Sequence, residues 1–490
     1  MILKELQLLT PELSLLVFAL LVIMLDLFIK QKKVLVVVSI AGILVSAGFT
    51  LSLWGIHATD ILYAMLSVDQ YALLFKLIFL VAAGLVILAS QDYISKFAQF
   101  QSEYYALVLI SALGMMLMAA AQDLIAVYVS LELSSISLYV LASFLKDQKS
   151  TEAGLKYLLL GAVSSAVLLY GMALVFGLTG HTCMPCIADS LKGMPISNIM
   201  QSPALLMGLI LIVAGFGFKI ASVPFQMWVP DVYEGAPTPV TAYLSVASKA
   251  AGFAVILRVL FVVFGATAWL SQDWGLLIAV LSAITMMVGN VVALSQSNIK
   301  RMFGYSSIAQ AGYLMVGLAA VGMAAGSDAL GRSGLLFFLM SYTFTNLGAF
   351  IAIIAISNKL NSDQIEDYTG MSKRAPLLAI ALTLCLVSLT GLPPTAGLIA
   401  KIYIFNGAVN HGLLWLVIIA VINSVISAFY YFRIVKVMWM GAPASEEKVP
   451  STWALRVALS LCCLFVLLLG VLPAGFMGIA QAAVKIFTGS

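Results

Sequence analysis

The sequence predicts an all-α polytopic membrane protein of about fourteen transmembrane helices, with two inverted five-helix repeats and breaks in helices seven and twelve. Three observations carry this fold class. First, 62% of the 490 residues are hydrophobic and only 9% are charged, against about 25% charged in a typical soluble domain. A water-soluble core of this size could not hide so much apolar surface. Second, apolar windows of about twenty residues, the length that crosses a bilayer, recur from one end of the chain to the other. Third, most of the few basic residues fall on one side of the topology that those windows define. The net charge is only +4, and the charges lie between apolar segments rather than in a patch, which leaves no nucleic-acid interface.

The elements follow in order. Spans one to three fall near 9–29, 34–55 and 71–91, in an N-terminal segment 1–102. The opening MILKELQLLTPELSLLVF lacks a basic n-region and a small-residue cleavage site after its apolar run, so it is expected to be retained. Spans four to eight, near 103–121, 123–145, 154–178, 203–222 and 238–264, form a first repeat, 103–264. Spans nine to thirteen, near 274–296, 302–324, 333–357, 376–396 and 413–440, form a second, 265–440. Span fourteen, near 454–482, lies in the C-terminal segment 441–490.

With both termini outside, the inner loops and helix ends between Lys30 and Arg456 carry sixteen basic residues, against four outside: Lys4, Lys192, Arg332 and Lys485. This is the bias of the positive-inside rule. Three histidines, His57, His181 and His411, fall in loops. Cys385, Cys462 and Cys463 lie in apolar runs and read as packing residues. Cys183 and Cys186 form a lone C-x-x-C in the loop HTCMPC. One nearby histidine does not complete a four-ligand zinc set, so a local disulfide or two free thiols fits better and no metal site is expected.

Five basic residues remain inside spans: Lys76, Lys219, Lys249, Arg258 and Lys401. A charge at the centre of a membrane helix costs about 2.5–3.5 kcal/mol even on the lenient insertion scale, so each needs a partner or a use. Lys76 and Arg258 fall towards outer span ends and are expected to snorkel. Lys219, Lys249 and Lys401 sit deeper. Among the acids, Glu132 lies near mid-span, in VYVSLELSSISLYVL, where Tyr128, Glu132, Ser135 and Tyr139 share one helical face. Ser245, Ser248 and Gly252 share the face of Lys249. One bland reading is a static pair of Glu132 with one lysine, which leaves the other two unexplained. A buried lysine can also take up and release protons.

Lys219 precedes Pro224, and Lys401 follows TGLPPTAG with Pro393 and Pro394. Proline removes a backbone donor. In a membrane that is tolerated only where protein or a water-filled cavity satisfies the freed groups, and paired broken helices mark transport sites. Ser134-Ser135-Ile136 in span five resembles Ser306-Ser307-Ile308 in span ten, at an offset of 172. The offset carries Lys219 to Gly391, beside the double proline, and Glu132 to Gly304. A five-span repeat inverts its second copy.

The stretches FGFKIASVPFQMWVPDVYEGAPTPVTAYLSVASKAAGFA, SNIKRMFGYSSIAQAGY and GLPPTAGLIAKIYIF resemble the antiporter-like membrane subunits of respiratory complex I, over nearly the whole chain. Mrp-type cation antiporters differ in the VYEGAPTPV region. The resemblance implies a proton-pumping subunit of an NADH–quinone oxidoreductase. Its proton-handling positions would be Glu132 in helix five, Lys219 in broken helix seven, Lys249 in helix eight and Lys401 in helix twelve. Some relatives carry a histidine in helix eight; here a relay would use lysine, serine, tyrosine and water. Glu132 is expected within hydrogen-bonding distance of Lys219, directly or through one water. The chain has no nucleotide fingerprint and no cysteine set for an iron–sulfur cluster. The resemblance therefore implies that NADH or another donor, FMN, iron–sulfur clusters and quinone are handled by partner subunits. It also implies that this chain contacts other membrane subunits and the bilayer, and meets the quinone pool only indirectly. The expected location is the inner (plasma) membrane of a prokaryote, with the thylakoid membrane as the alternative. A stand-alone Mrp-type cation/proton antiporter is the alternative function, although sodium wants oxygen ligands and is repelled by ammonium groups.

Overall fold

The computed structural model describes residues 2–485 apart from 30, 57–58, 94–95, 97–99, 194–202, 266–267, 325–328 and 443–446. Among the described residues, twelve helices are long and apolar enough to cross a bilayer, and each lies on a predicted span. Span one is the shorter helix Thr10–Asp26, preceded by Ile2–Leu8. Several helices start where the sequence provides a capping oxygen. Asp69 accepts from the Ala72 amide at 2.7 Å, Asp147 from Ser150 at 2.7 Å and Asn298 from Arg301 at 3.1 Å. Each satisfies a helix-terminal donor that would otherwise be orphaned.

Spans seven and twelve are discontinuous. The first half of span seven ends at Ile220, and the chain resumes helix at Trp228–Gly235. Span twelve ends its first half at Thr390 and resumes as Ala396–Asn410. The second half runs beyond the 376–396 predicted from the sequence, because the apolar window is cut at the prolines, and it contains Lys401. Span fourteen is also two helices, Trp453–Val471 and Pro473–Val484. The sequence reading missed this break, although Pro473 has no amide with which to continue the ladder. Two further departures lie elsewhere. A hairpin, Thr59–Ile61 with Leu66–Val68, fills the connection between spans two and three. In span eight, Leu244–Ser248 winds as a π-helical turn immediately before Lys249.

The helices sort into an inner and an outer set. Those of spans eight, ten and eleven (Thr238–Val262, Ile299–Met323, Leu330–Leu360) are buried over about nine-tenths of their apolar windows, whereas Gln148–Thr179 is buried over only 33%. The outer set turns large apolar side chains outward, including Val37, Leu44, Val163 and Phe429. That is the surface a lipid-facing helix needs. Close approach in the inner set uses small residues: a Cβ on Gly114 would lie 2.7 Å from the Ser134 amide nitrogen, so glycine there lets spans four and five touch along their backbones.

The connections gather into two ends. At one end Lys156 pairs with Asp231, Lys300 with Asp363 and Lys359 with Glu447, and Arg374 Nε donates to the Glu447 carbonyl. At the other, the Leu66–Val68 strand bridges to Ala121, and Asp123 bridges to Cys183. The loops carrying Lys146–Lys156 and Lys373–Arg374 thus lie opposite His181–Cys186. Cys183 and Cys186 form a disulfide. His181 and His411 fall outside helices; His57 and Lys30 lie outside the described residues.

Candidate functional site: a buried line of lysines

Lys219 lies in the last turn of Pro203–Ile220, and its side chain is almost wholly buried. The helix ends through Ala221, which takes a positive φ of 63°, and a cis Val223–Pro224 bond follows. The backbone groups that the break releases are satisfied by protein. Trp228 Nε1 donates to the Phe218 carbonyl at 3.0 Å, and Thr285 Oγ1 accepts from the Val223 amide at 3.0 Å. Lys219 Nζ donates to Ser135 Oγ at 2.9 Å.

Ser135 lies three residues after Glu132, on the same face of Leu124–Ala142. The expected direct Glu132–Lys219 contact is not formed: the two groups make no ion pair within 4.0 Å. The serine intercepts the ammonium. Glu132 is half-buried, with its Oε1 enclosed and without a hydrogen-bond partner.

Lys249 directly follows the π turn. Its Nζ donates to the Ser307 carbonyl and, at 2.6 Å, to Ser307 Oγ. Ser307 Oγ in turn donates to Tyr233 OH at 3.2 Å. π turns are rare and concentrate at functional sites; here the turn lies in the face that aims Lys249 at span ten.

Lys401 enters from the second half of span twelve and reaches back across the break. Its Nζ donates to the Thr390 carbonyl at 2.8 Å, the Leu389 carbonyl at 3.2 Å and Ser424 Oγ at 2.8 Å. It also sits over the Tyr313 ring, 4.6 Å from the centroid. It therefore caps the carbonyl end of Pro376–Thr390, where the helix dipole favours a cation. Gly391, the position that the offset of 172 equates with Lys219, has φ 89°, and a Cβ there would lie 3.2 Å from Lys401 Nζ. The second lysine thus occupies the space beside the position equivalent to the first. Gly304, the equivalent of Glu132, packs on Pro230: a Cβ would lie 3.2 Å from the Pro230 Cα.

Beside Ser307, a further set of side chains leads from Ser306 to the carbonyl that Lys401 grips; no hydrogen bond joins it to Lys249 or Ser307 among the described residues. Ser306 Oγ and Tyr431 OH lie 2.5 Å apart. Gln310 Nε2 donates to Tyr431 OH at 3.5 Å and to the Leu389 carbonyl at 3.2 Å, the same carbonyl that Lys401 grips. Ser306, Gln310 and Tyr313 recur at helical spacing, which was the available signal; Tyr431, in a run of aromatics, gave none.

Lys76 and Arg258 do not snorkel. Lys76 Nζ lies 2.6 Å from Glu12 Oε1, with both side chains buried. Arg258 makes a two-pronged bridge to Asp69 at 2.9 and 3.0 Å and lies over Tyr71. Their acids were overlooked because Glu12 and Asp69 sit at span starts, where the sequence gives them an interfacial look. At the end of the molecule, Asp231 pairs with Lys156 at 2.7 Å and Arg301 at 2.8 Å, and Glu234 with Arg301 at 3.1 Å. Burial would raise the Asp231 carboxyl, but hydrogen bonds and charge from Lys156 and Arg301 outweigh it and hold the group below its usual range. Among the described residues, no group of three or more His, Cys, Asp or Glu could hold a metal ion.

Residues 121–427 match the family model described as "NADH:quinone oxidoreductase/Mrp antiporter, TM". The chain belongs to this family. Among similar members, NADH-quinone oxidoreductase subunit N of Dehalococcoides mccartyi is 48% identical, over 97% of this chain and 98% of its own length. That of Trichlorobacter lovleyi is 45% identical, over 98% and 97%. Among solved structures, a chain of respiratory complex I from Thermus thermophilus superposes with a TM-score of 0.81 at 31% identity, covering 96% of this chain and 99% of that one. A chain of the Mrp complex from Dietzia gives 0.82 at 18% identity, over 100% and 98%, which is a likeness of fold. The family fold is a multi-pass membrane bundle, and the three lysines described above are buried within this chain's helices.

Proposed function

We propose that the chain is a proton-translocating membrane subunit of a complex I-type NADH–quinone oxidoreductase, working with other membrane subunits in a prokaryotic plasma membrane. In this reading both termini face outward, and the Lys156–Asp231–Arg301 end faces inward. The translocating body is the two five-span units 103–264 and 265–440, flanked by 1–102 and 441–490. Redox chemistry belongs to partner subunits, which hold FMN, iron–sulfur clusters and the sites for NADH and quinone. This chain moves protons through Glu132, Lys219, Lys249 and Lys401.

One contrast supports the reading. Lys76 and Arg258 are buried against carboxylates. Lys219, Lys249 and Lys401 are equally buried but are held by serine hydroxyls and backbone carbonyls. A lysine fixed to an acid cannot lose its proton without stranding a buried anion. A lysine held by hydroxyls and carbonyls leaves only a neutral amine behind. Glu132 biases the state of Lys219 through its charge. Movement of that charge, or its neutralisation, would release a proton from Lys219 towards Lys249, then through the Ser306–Tyr431–Gln310 region towards Lys401. Pro224, Pro393 and Pro394 would keep the helices broken, so that Lys219 ends one half-helix beside Ser135 and Lys401 meets the carbonyls at the end of another.

The test uses the intact complex in sealed vesicles, with quinone reduction and proton uptake measured together. Lys219→Arg keeps the charge, but arginine does not lose its proton in a protein. The expected result is an assembled complex with impaired pumping. An arginine variant that pumps at the normal rate would overturn the role of Lys219.

A further inference from the structure

At the end of the molecule that carries the Asp231 clamp, and apart from the lysine line, lies a cavity of about 300 Å³. Among the described residues its wall is polar: lysines, asparagines, serines, a threonine, a glutamine, an aspartate and one tyrosine. Three lysines from separate stretches of the chain, Lys96, Lys149 and Lys300, meet there, against one acid, Asp363.

The lysines are poorly compensated. Lys300 is buried, donates to the Ala236 carbonyl at 2.8 Å and stands 3.7 Å from Asp363. Among the described residues Lys149 pairs with Glu234, at 3.7 Å, an acid that also serves Arg301 at 3.1 Å. Lys96 lies over the Tyr93 ring at 4.6 Å, and burial lowers its ammonium pKa, partly offset by Asp363. Thr238, the first residue of the span-eight helix, also lines the space, with its hydroxyl and amide turned to Tyr93. Helix starts favour anions.

We propose that this cavity binds a phosphate-bearing anion. Its volume is at the lower limit for a ligand pocket, room for a phosphate group but not for a lipid's chains, and the described lining residues offer those chains no aliphatic contact. The phosphate can belong to a free ion or to the headgroup of an anionic lipid whose tails lie outside. Once seated, it would tie the start of the Lys249 helix to the segments around Lys149, Lys300 and Asp363, which come from both halves of the chain.

The experiment uses the purified intact complex at constant ionic strength. Binding of radiolabelled inorganic phosphate is measured by equilibrium dialysis. Retention of labelled phosphatidic acid is measured after exposure to phosphatidylcholine vesicles containing it. The K96Q/K149Q double variant should bind about tenfold more weakly. K33Q/K373Q, which removes two exposed lysines elsewhere, should bind as the parent does. D363N, which removes the one acid among the described wall residues, should bind more tightly; this opposite sign separates a site from a folding defect. Saturable phosphate binding that follows this pattern supports the proposal with a free ion. The same pattern with phosphatidic acid alone supports it with a headgroup. No saturable binding of either probe, equal losses in the control variant, or weaker binding by D363N would overturn it.

Discussion

At the scale of single residues, burial alone does not tell a working charge from a structural one; the partner does. Lys76 and Lys219 are both nearly inaccessible, yet one faces a carboxylate and the other a hydroxyl. Removing Lys76 should therefore strand Glu12. Lys76→Met is expected to destabilise the subunit by about 3–5 kcal/mol and to lower its yield in the assembled complex, as read from purified membranes. Lys401→Met leaves no anion behind, so assembly should be near normal while proton transfer fails. Equal assembly defects in both variants would remove the distinction. The four proposed proton-handling positions were legible in the sequence because a charge in an apolar run is conspicuous. Which side chain holds which lysine was not: Ser135 and Ser307 stood out only as a polar face and a repeat match, and Ser424 is an ordinary helix residue until packing sets it opposite Lys401.

Elements carry the next level of information. The breaks at Pro224 and at Pro393–Pro394 could be read directly, because a missing amide is a local property. The π turn before Lys249 could not, since LSVAS has no local reason to wind that way; its cause lies in neighbours. The end of span twelve was placed short for a different, local reason, the apolar window having been closed just after the prolines. Gly391 is the element-level test. It combines a left-handed backbone with contact against Lys401. Gly391→Ala should cost about 1–2 kcal/mol in local strain and displace the ammonium, so proton pumping should fall more than assembly. An alanine variant with parental pumping would show that the fit between Gly391 and Lys401 is loose.

For the whole molecule, the charged clamp around Asp231 joins the helix after the first break to Lys156 on one side and Arg301 on the other, residues from the two halves. Asp231→Asn is expected to cost about 1 kcal/mol and to lower the unfolding temperature of the subunit. The pH dependence follows from the depressed carboxyl. A group whose pKa is lower folded than unfolded contributes stability that is full above its unfolded value and is lost as pH falls through its folded value. Thermal stability should thus drop on acidification below the ordinary carboxylate range, and the drop should be smaller in Asp231→Asn. A parallel loss in both proteins would assign the acid sensitivity to other groups. Periodicity and charge bias made the bundle's membrane character legible, but not which helices are central. Centrality shows as near-complete burial, and spans eight, ten and eleven look no more apolar in sequence than the outer ones.

The Leu389 carbonyl is held twice, by Lys401 and by Gln310. A fastening that must open in every turnover is a point of wear. If Lys401 swings away after giving up its proton, Ser424 still holds the Thr390 carbonyl at 2.9 Å, but the Leu389 carbonyl would otherwise be left without a donor. Gln310 acts as the second bolt on that joint: it keeps the strut in place while the first is undone, so the lysine returns to an unchanged socket. Gln310→Leu should leave the resting protein sound. Backbone amides near residues 389–392 should then exchange with solvent faster during turnover than at rest, as fatigue shows only in a hinge that is being worked.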